Sequence, residues 1–240
     1  MIVTLTDFGD SEYLGAMKGA IYSANPHAKI TDFFNNVPLY SVREGAWLLY
    51  KNYKVFPKDS IFLCVADPGV GGERRCIAVM TKNYYFVGPD NGLMYKAIID
   101  DCIVEIVNLS SENASKTFHG RDVFAKAAAR LEKGENLSKL GHKTYIRKNL
   151  DFYLDGRKGE VVRIDNFGNI ITNLPQLNKK QYVLKLGNTQ KNLKFHGTYE
   201  EAGSDLFVIL GSCNTLEISL KNGRASEKLK LKVGDIIELA

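Results

Sequence analysis

Three aspartates in this 240-residue chain each follow a run of apolar residues and sit in a turn-rich motif. Asp7 follows Ile2–Leu5 in Thr6-Asp7-Phe8-Gly9. Asp67 follows the continuous apolar run Ser60–Ala66 and opens Asp67-Pro68-Gly69-Val70-Gly71-Gly72. Asp90, with Asn91, follows Tyr84–Val87 in Gly88-Pro89-Asp90-Asn91-Gly92. One such aspartate means little, because Asp is a common turn former. Three of them at the ends of successive strands would converge on one crevice, the place where open α/β sheets bind ligands. His119 and Asp122 of Thr117-Phe118-His119-Gly120-Arg121-Asp122 enter an alanine-rich helix. Asp122 fits a cap of its first turn, and His119 fits either a structural histidine or a proton-handling one. Asp165-Asn166-Phe167-Gly168-Asn169 reads equally as a hairpin turn or as an acceptor, a stacking face and an amide able to read an adenine edge.

These residues need elements to hold them. Strand and helix signals alternate through the first part of the chain, with helices over Glu12–Ala24, Val42–Tyr53 and Arg121–Glu132. That pattern predicts an α/β layer around a largely parallel sheet. Near residue 155 it gives way to short strands separated by Gly- and Asn-rich turns, the mark of a small barrel or sandwich. The chain therefore divides into an N-terminal α/β domain over 1–155 and a C-terminal β domain over 156–240, with Asp155–Gly159 as a linker.

Composition excludes several classes. An apolar fraction of 45% and a charged fraction of 25% are those of an ordinary globular protein. The net charge of +5 is spread along the chain, which argues against nucleic acid as a partner. The alternating Lys228, Lys230 and Lys232 fit the solvated side of a strand. Cys64, Cys76, Cys102 and Cys213 form no CxxC pair, and each lies among apolar residues, so buried thiols in a reducing compartment are expected. No second His or Cys lies near His119, so no metal site is expected. With no signal-like N-terminus and no long apolar stretch, the expected location is cytoplasmic, away from membranes.

The ordered set TDFG, DPGVG with a following basic pair, GPDNG, TFHGRD and D-x-FGN-xx-TN resembles the S-adenosylmethionine (SAM) hydrolases, also called SAM hydroxide adenosyltransferases, relatives of fluorinase and chlorinase. The resemblance covers essentially the whole chain. It implies a Rossmann-like N-terminal domain, a C-terminal β-barrel-like domain, and a homotrimer binding SAM between the N-domain of one subunit and the C-domain of the next. It implies a catalytic set of Asp67, Arg74 and His119, with no cofactor. It places Asp7 on the ribose hydroxyls, Asp165, Phe167 and Asn169 on methionine and adenine, Ser212 near the methionine end, Asn222 along adenine and Tyr40 against the ribose. Two positions depart from it: Gly120 stands where fluorinase has a halide-binding serine, and Lys126 where the helix more often has proline.

The reaction so implied is attack of water on C5′, releasing adenosine and methionine. The sulfonium leaves as a neutral thioether and needs no acid. Water is the harder partner: its pKa of about 15.7 means that a full hydroxide at pH 7 costs ~12 kcal/mol. Concerted deprotonation and attack, with Arg74 stabilising the developing charge and His119 or Asp67 taking the proton, avoids most of that cost. A chlorinase-like halide transfer and a non-catalytic SAM- or adenosine-binding module are the alternatives, and the aspartates alone also suggest a metal phosphoesterase.

Overall fold

The computed structural model describes residues 1–187 and 189–240. The chain divides into two compact units, Met1–Leu150 and Asp151–Ala240.

In the first unit the elements run β1 (Ile2–Thr6), α1 (Glu12–Ala24), β2 (Ile30–Phe34), α2 (Val42–Asn52), β3 (Ile61–Val65), β4 (Cys76–Thr81), β5 (Tyr85–Pro89), α3 (Tyr95–Asp100), β6 (Ile103–Leu109), α4 (Lys126–Glu132) and β7 (Gly141–Lys143). A π-helical turn, Gly120–Ala125, leads into α4. The sheet order is β2-β1-β3-β5-β4-β6-β7. It is mixed, which corrects the expectation of a largely parallel sheet. β2, β1, β3 and β5 are parallel neighbours, whereas β5, β4, β6 and β7 pair antiparallel. The turn at Lys82-Asn83 is the reason: it is far too short for the crossover that parallel strands require, so β4 and β5 form a hairpin.

β3 shows how the layers form. All five of its residues are buried, and their side chains alternate between faces. Ile61, Leu63 and Val65 join one core with Met17, Ile21 and Phe124. Phe62 and Cys64 join another with Trp47's neighbours Leu48 and Leu49 and with Tyr53. Phe62 stacks on Phe86, ring centroids 5.1 Å apart. Burying a side chain of this size stabilises the fold by ~1.5–3 kcal/mol.

The second unit contains β8 (Leu154–Asp155), β9 (Lys158–Ile164), β10 (Ile170–Thr172), β11 (Gln181–Leu186), β12 (Thr189–Phe195), β13 (Leu206–Leu210), β14 (Leu216–Leu220), α5 (Ala225–Leu229) and β15 (Ile236–Leu239). Pairing of β10 with β9 closes seven strands into a barrel, and β8 extends β9 outside it. Val161, Ile170, Tyr182, Leu193, Val208 and Ile218 fill the interior. Within the expected linker, Gly156-Arg157 is the two-residue turn of the β8–β9 hairpin, with Gly156 taking the positive φ that the first position of such a turn requires. Lys228 lies on α5 and Lys230 caps it in a left-handed conformation, so the alternating lysines are not a strand. Cys64 and Cys76 are buried, but Cys102 is exposed and Cys213 half-buried. No helix among the described residues is long and apolar enough to cross a membrane.

Candidate active site

The site in the first unit begins with strand register. Thr6 of β1 pairs with Val65 of β3, so Asp7 and Asp67 leave the sheet at the same carboxyl edge. The Asp7 backbone N–H donates to the Val65 carbonyl at 3.3 Å. Beyond Asp67 the chain turns back at Gly71, whose φ is +75° and whose missing Cβ would stand 2.0 Å from the Lys116 carbonyl oxygen. Only glycine permits that approach. It lays the loop after Asp67 on the segment that ends in His119, at the start of the π-helical turn. Asp122 fastens the same segment, accepting the Ser115 N–H at 3.0 Å and pairing with Arg121.

Asp67, Arg74 and His119 meet in one buried cluster. The Arg74 Nε donates to Asp67 Oδ1 at 3.0 Å, and Nη2 donates to Oδ2. Nη2 also lies 2.8 Å from His119 Nδ1. Nη1 donates to the Cys76 Sγ at 2.9 Å, and that sulfur is 3.5 Å from the same Nδ1. Burial works against the Arg74 charge, but the Asp67 bonds and charge outweigh it and raise its pKa. His119, 5% exposed, has its pKa lowered by burial first and then by the Arg74 cation.

These contacts fix a proton. A guanidinium has donors and no acceptor, so His119 Nδ1 must accept. The neutral imidazole therefore carries its hydrogen on Nε2 and offers a donor there, not a base. Asp67 keeps a second lone pair on each oxygen beyond its Arg74 bonds.

Beside this cluster a cleft of about 440 Å³ is lined by Asp7, Ser11, Leu39, Thr117 and Arg121, with an aromatic wall of Phe8, Tyr13 and Phe118. The rings of Tyr13 and Phe118 meet edge to face at 5.2 Å, and Arg121 covers Phe118 at 4.9 Å. Burial raises the Asp7 pKa, and the Asp67 charge adds to it. Tyr40 is 76% exposed, in a left-handed conformation, and lies outside this lining; its neighbour Leu39 is in it. Asp90 does not join the cluster either: Arg75 holds it at 2.6 Å, and it accepts the backbone N–H groups of Arg147 and Lys148. Among the described residues no group of three His, Cys, Asp or Glu side chains is placed to hold a metal ion.

The second unit has its own cleft, of about 990 Å³, lined by Asp165, Phe167, Asn169, Tyr199, Asn222 and Arg224 among others. The Asp165–Asn169 motif is a hairpin turn between β9 and β10 and a wall of this cleft as well. Asp165 Oδ1 accepts the backbone N–H groups of Phe167 and Asn169, each at 2.9 Å. Oδ2 accepts the Asn169 side-chain amide at 2.9 Å. The turn so braced leaves the Phe167 ring 77% exposed. Ser212 is exposed in the β13–β14 turn and is not part of the lining. Tyr199 of the lining, Glu217 behind it and the Cys76 contact to His119 carry no local sequence signal. Phe118 lies inside the Thr117–Asp122 motif, in which His119 and Asp122 carry the signal.

Known proteins match this chain over nearly its whole length. A relative from Methanocaldococcus jannaschii named (R)-S-adenosyl-L-methionine hydrolase is 36% identical, the match covering 99% of this chain and 95% of that one. One of the same name from Thermus thermophilus is 32% identical over 98% and 97%. A crystal structure of an uncharacterized conserved protein from Thermotoga maritima superposes with a TM-score of 0.92 at 33% identity, covering all of both chains. Residues 2–141 match the SAM hydroxide adenosyltransferase N-terminal domain and residues 159–238 its C-terminal domain, and the chain belongs to that family.

Proposed function

We propose that this protein hydrolyses SAM to adenosine and L-methionine by attack of water on C5′. The observation that carries the mechanism is Arg74 bridging Asp67 and His119 in a buried cluster beside the Asp7 cleft. Water's oxygen bonds to C5′ as the C5′–S bond breaks, and the electron pair leaves on sulfur as a neutral thioether. Nδ1 of His119 is engaged by Arg74 and Nε2 already carries a hydrogen, so His119 orients the water and Asp67 takes its proton. The Arg74 guanidinium steadies the charge that grows on oxygen, the kind of fixed donor that contributes ~2.7–4 kcal/mol to acyl-transfer transition states. Among the described residues no side chain pairs with the Asp7 carboxylate on the cleft wall, which leaves that group for the two ribose hydroxyls.

Incubation with SAM in ¹⁸O-labelled water tests this. Adenosine and methionine should form in equal amounts, with the label in the 5′-hydroxyl and no effect of EDTA. The relatives are named for the (R) form, so each sulfonium epimer is assayed alone. Binding without turnover would favour the non-catalytic reading. A 5′-chloro-5′-deoxyadenosine product in chloride would favour halide transfer, against which the Asp67, Arg74 and His119 set stands; Gly120 counts against fluoride alone, since its missing Cβ would lie 3.0 Å from Phe8 Cζ, leaving little space for a halide-binding serine. The reading includes a homotrimer whose neighbouring copies complete each site. A solution mass three times the 26.8 kDa chain checks it.

A further inference from the structure

Asn169 is 5% exposed and lines the cleft of the second unit. Both hydrogens of its side-chain amide are engaged. Nδ2 donates to Asp165 Oδ2 at 2.9 Å and to Tyr199 Oη at 3.3 Å. The Tyr199 hydroxyl in turn donates to Glu217 Oε2 at 3.3 Å. A carboxylate accepts and does not donate, so the amide cannot turn over without placing its carbonyl against Asp165. Its Oδ1 therefore remains as an acceptor on the cleft wall, with no protein donor among the described residues. A ligand that covers this oxygen without donating to it leaves it desolvated and unpaired, which is costly, so the wall selects a ligand that brings a hydrogen. The exposed ring of Phe167 and the apolar side of Leu220 flank it, which suits a flat heterocycle more than an alkyl ammonium.

We propose that Asp165 and Tyr199 are positioning residues that fix the polarity of the Asn169 amide and so make this cleft select a purine with a 6-amino group over one with a 6-oxo group. The inference rests on the SAM-hydrolase reading, which supplies the purine. Asp165 acts through Asn169 and need not touch the ligand itself.

The substitution Asp165→Asn gives a sharp test. The two backbone N–H groups at Oδ1 hold the new carbonyl in that place. The new amide nitrogen must then occupy the Oδ2 position, facing Asn169. Asn169 has to answer with its carbonyl, which turns its own Nδ2 into the cleft. Calorimetric titration of the full chain with adenosine and with inosine reads the result without requiring turnover. The wild type should prefer adenosine by about 100-fold or more, as expected of a site whose buried polar group would otherwise go unpaired. Asp165→Asn should reverse the preference toward inosine. Tyr199→Phe, which removes one of two holds on the amide, should narrow it by about tenfold. Glu217→Gln should retain it, because the glutamine carbonyl still accepts from Tyr199. A merely structural role for Asp165 or Tyr199 would weaken both nucleosides together and leave the ratio unmoved. An unmoved ratio in Asp165→Asn and Tyr199→Phe, or equal affinities in the wild type, overturns the inference. SAM turnover by the wild type is scored separately: if adenosine is released while the ratio fails to move, only the polarity argument falls; if no adenosine is released, the hydrolase reading falls.

Discussion

Arg74→Ala removes one side chain that joins three partners, and the structure predicts two separable losses. The first is in rate. Arg74 Nη2 reaches both Asp67 and His119, so the variant lacks the fixed cation beside the developing hydroxide and the contact that holds the imidazole. Losing one such donor costs ~2.7–4 kcal/mol in the transition state, so turnover should fall at least about 10²-fold while SAM still binds. The second loss is in stability. The Asp67 side chain is only 5% exposed, and taking away one partner of a buried pair costs ~3–5 kcal/mol. For a chain of this size that lowers the melting temperature by roughly 6–20 °C. Arg74→Lys separates the two, because it keeps a cation near Asp67 but its compact ammonium cannot bridge to His119: most of the stability should return and most of the rate should not. NMR titration of His119 gives a third readout. Its pKa is lowered by burial and then by the Arg74 cation; with that cation gone in Arg74→Ala it should rise. The native wild type binds this proton less well than the unfolded chain does. Its stability therefore increases with pH from the depressed value up to the ordinary 6.5, and is lost on acidification through that window. The variant should show a smaller acid loss from this source. Near-full activity in Arg74→Ala, or an unchanged His119 titration, would refute the bridging role.

Gly71→Ala should cost at least about 2 kcal/mol in denaturant unfolding, since the new methyl meets the Lys116 carbonyl and the left-handed backbone disfavours any side chain; its activity should fall as the Asp67 loop lifts from the His119 segment. Gly120→Ser should press on Phe8 and slow hydrolysis, with no 5′-halogenated nucleoside formed in fluoride or chloride; appearance of that product would show that the space opens after all. Burial, with the Asp165 charge adding to it, raises the Glu217 pKa above 4.5. The protonated form is thus favoured in the folded state, and the stability it gives at low pH is lost as pH rises through the folded value. Chemical unfolding across that range should show this slope in the wild type and not in Glu217→Gln.

The elements that hold the first site were legible because their residues are buried on both faces. β3 reads as a continuous apolar run, and so announces both itself and the turn at Asp67. β2 and β12 left weaker traces. β2 is an edge strand with an exposed Asp32, and in β12 only Leu193 is buried, so neither shows the alternation that marks a half-buried strand. The mixed character of the first sheet was present in the Lys82-Asn83 turn, whose length forces a hairpin. The general rule that alternating strands and helices make parallel sheets obscured it.

Functional chemistry divides along a similar line. Asp7, Asp67 and His119 carry local signals because each sits where a regular element meets a loop. Arg74 does not: it lies seven positions beyond Asp67 in a loop, and only the return of the chain into β4 brings the two together. The polarity of the Asn169 amide is further removed still. The amide itself is visible in the Asp165–Asn169 motif, but an asparagine side chain presents either of its ends with equal ease. Which end faces the cleft depends on a carboxylate four residues away being an acceptor and on a hydroxyl thirty residues away closing the second position. Residue types at a turn can therefore announce that something is bound there. Whether that site takes a donor or an acceptor is decided by partners that the barrel, not the motif, delivers.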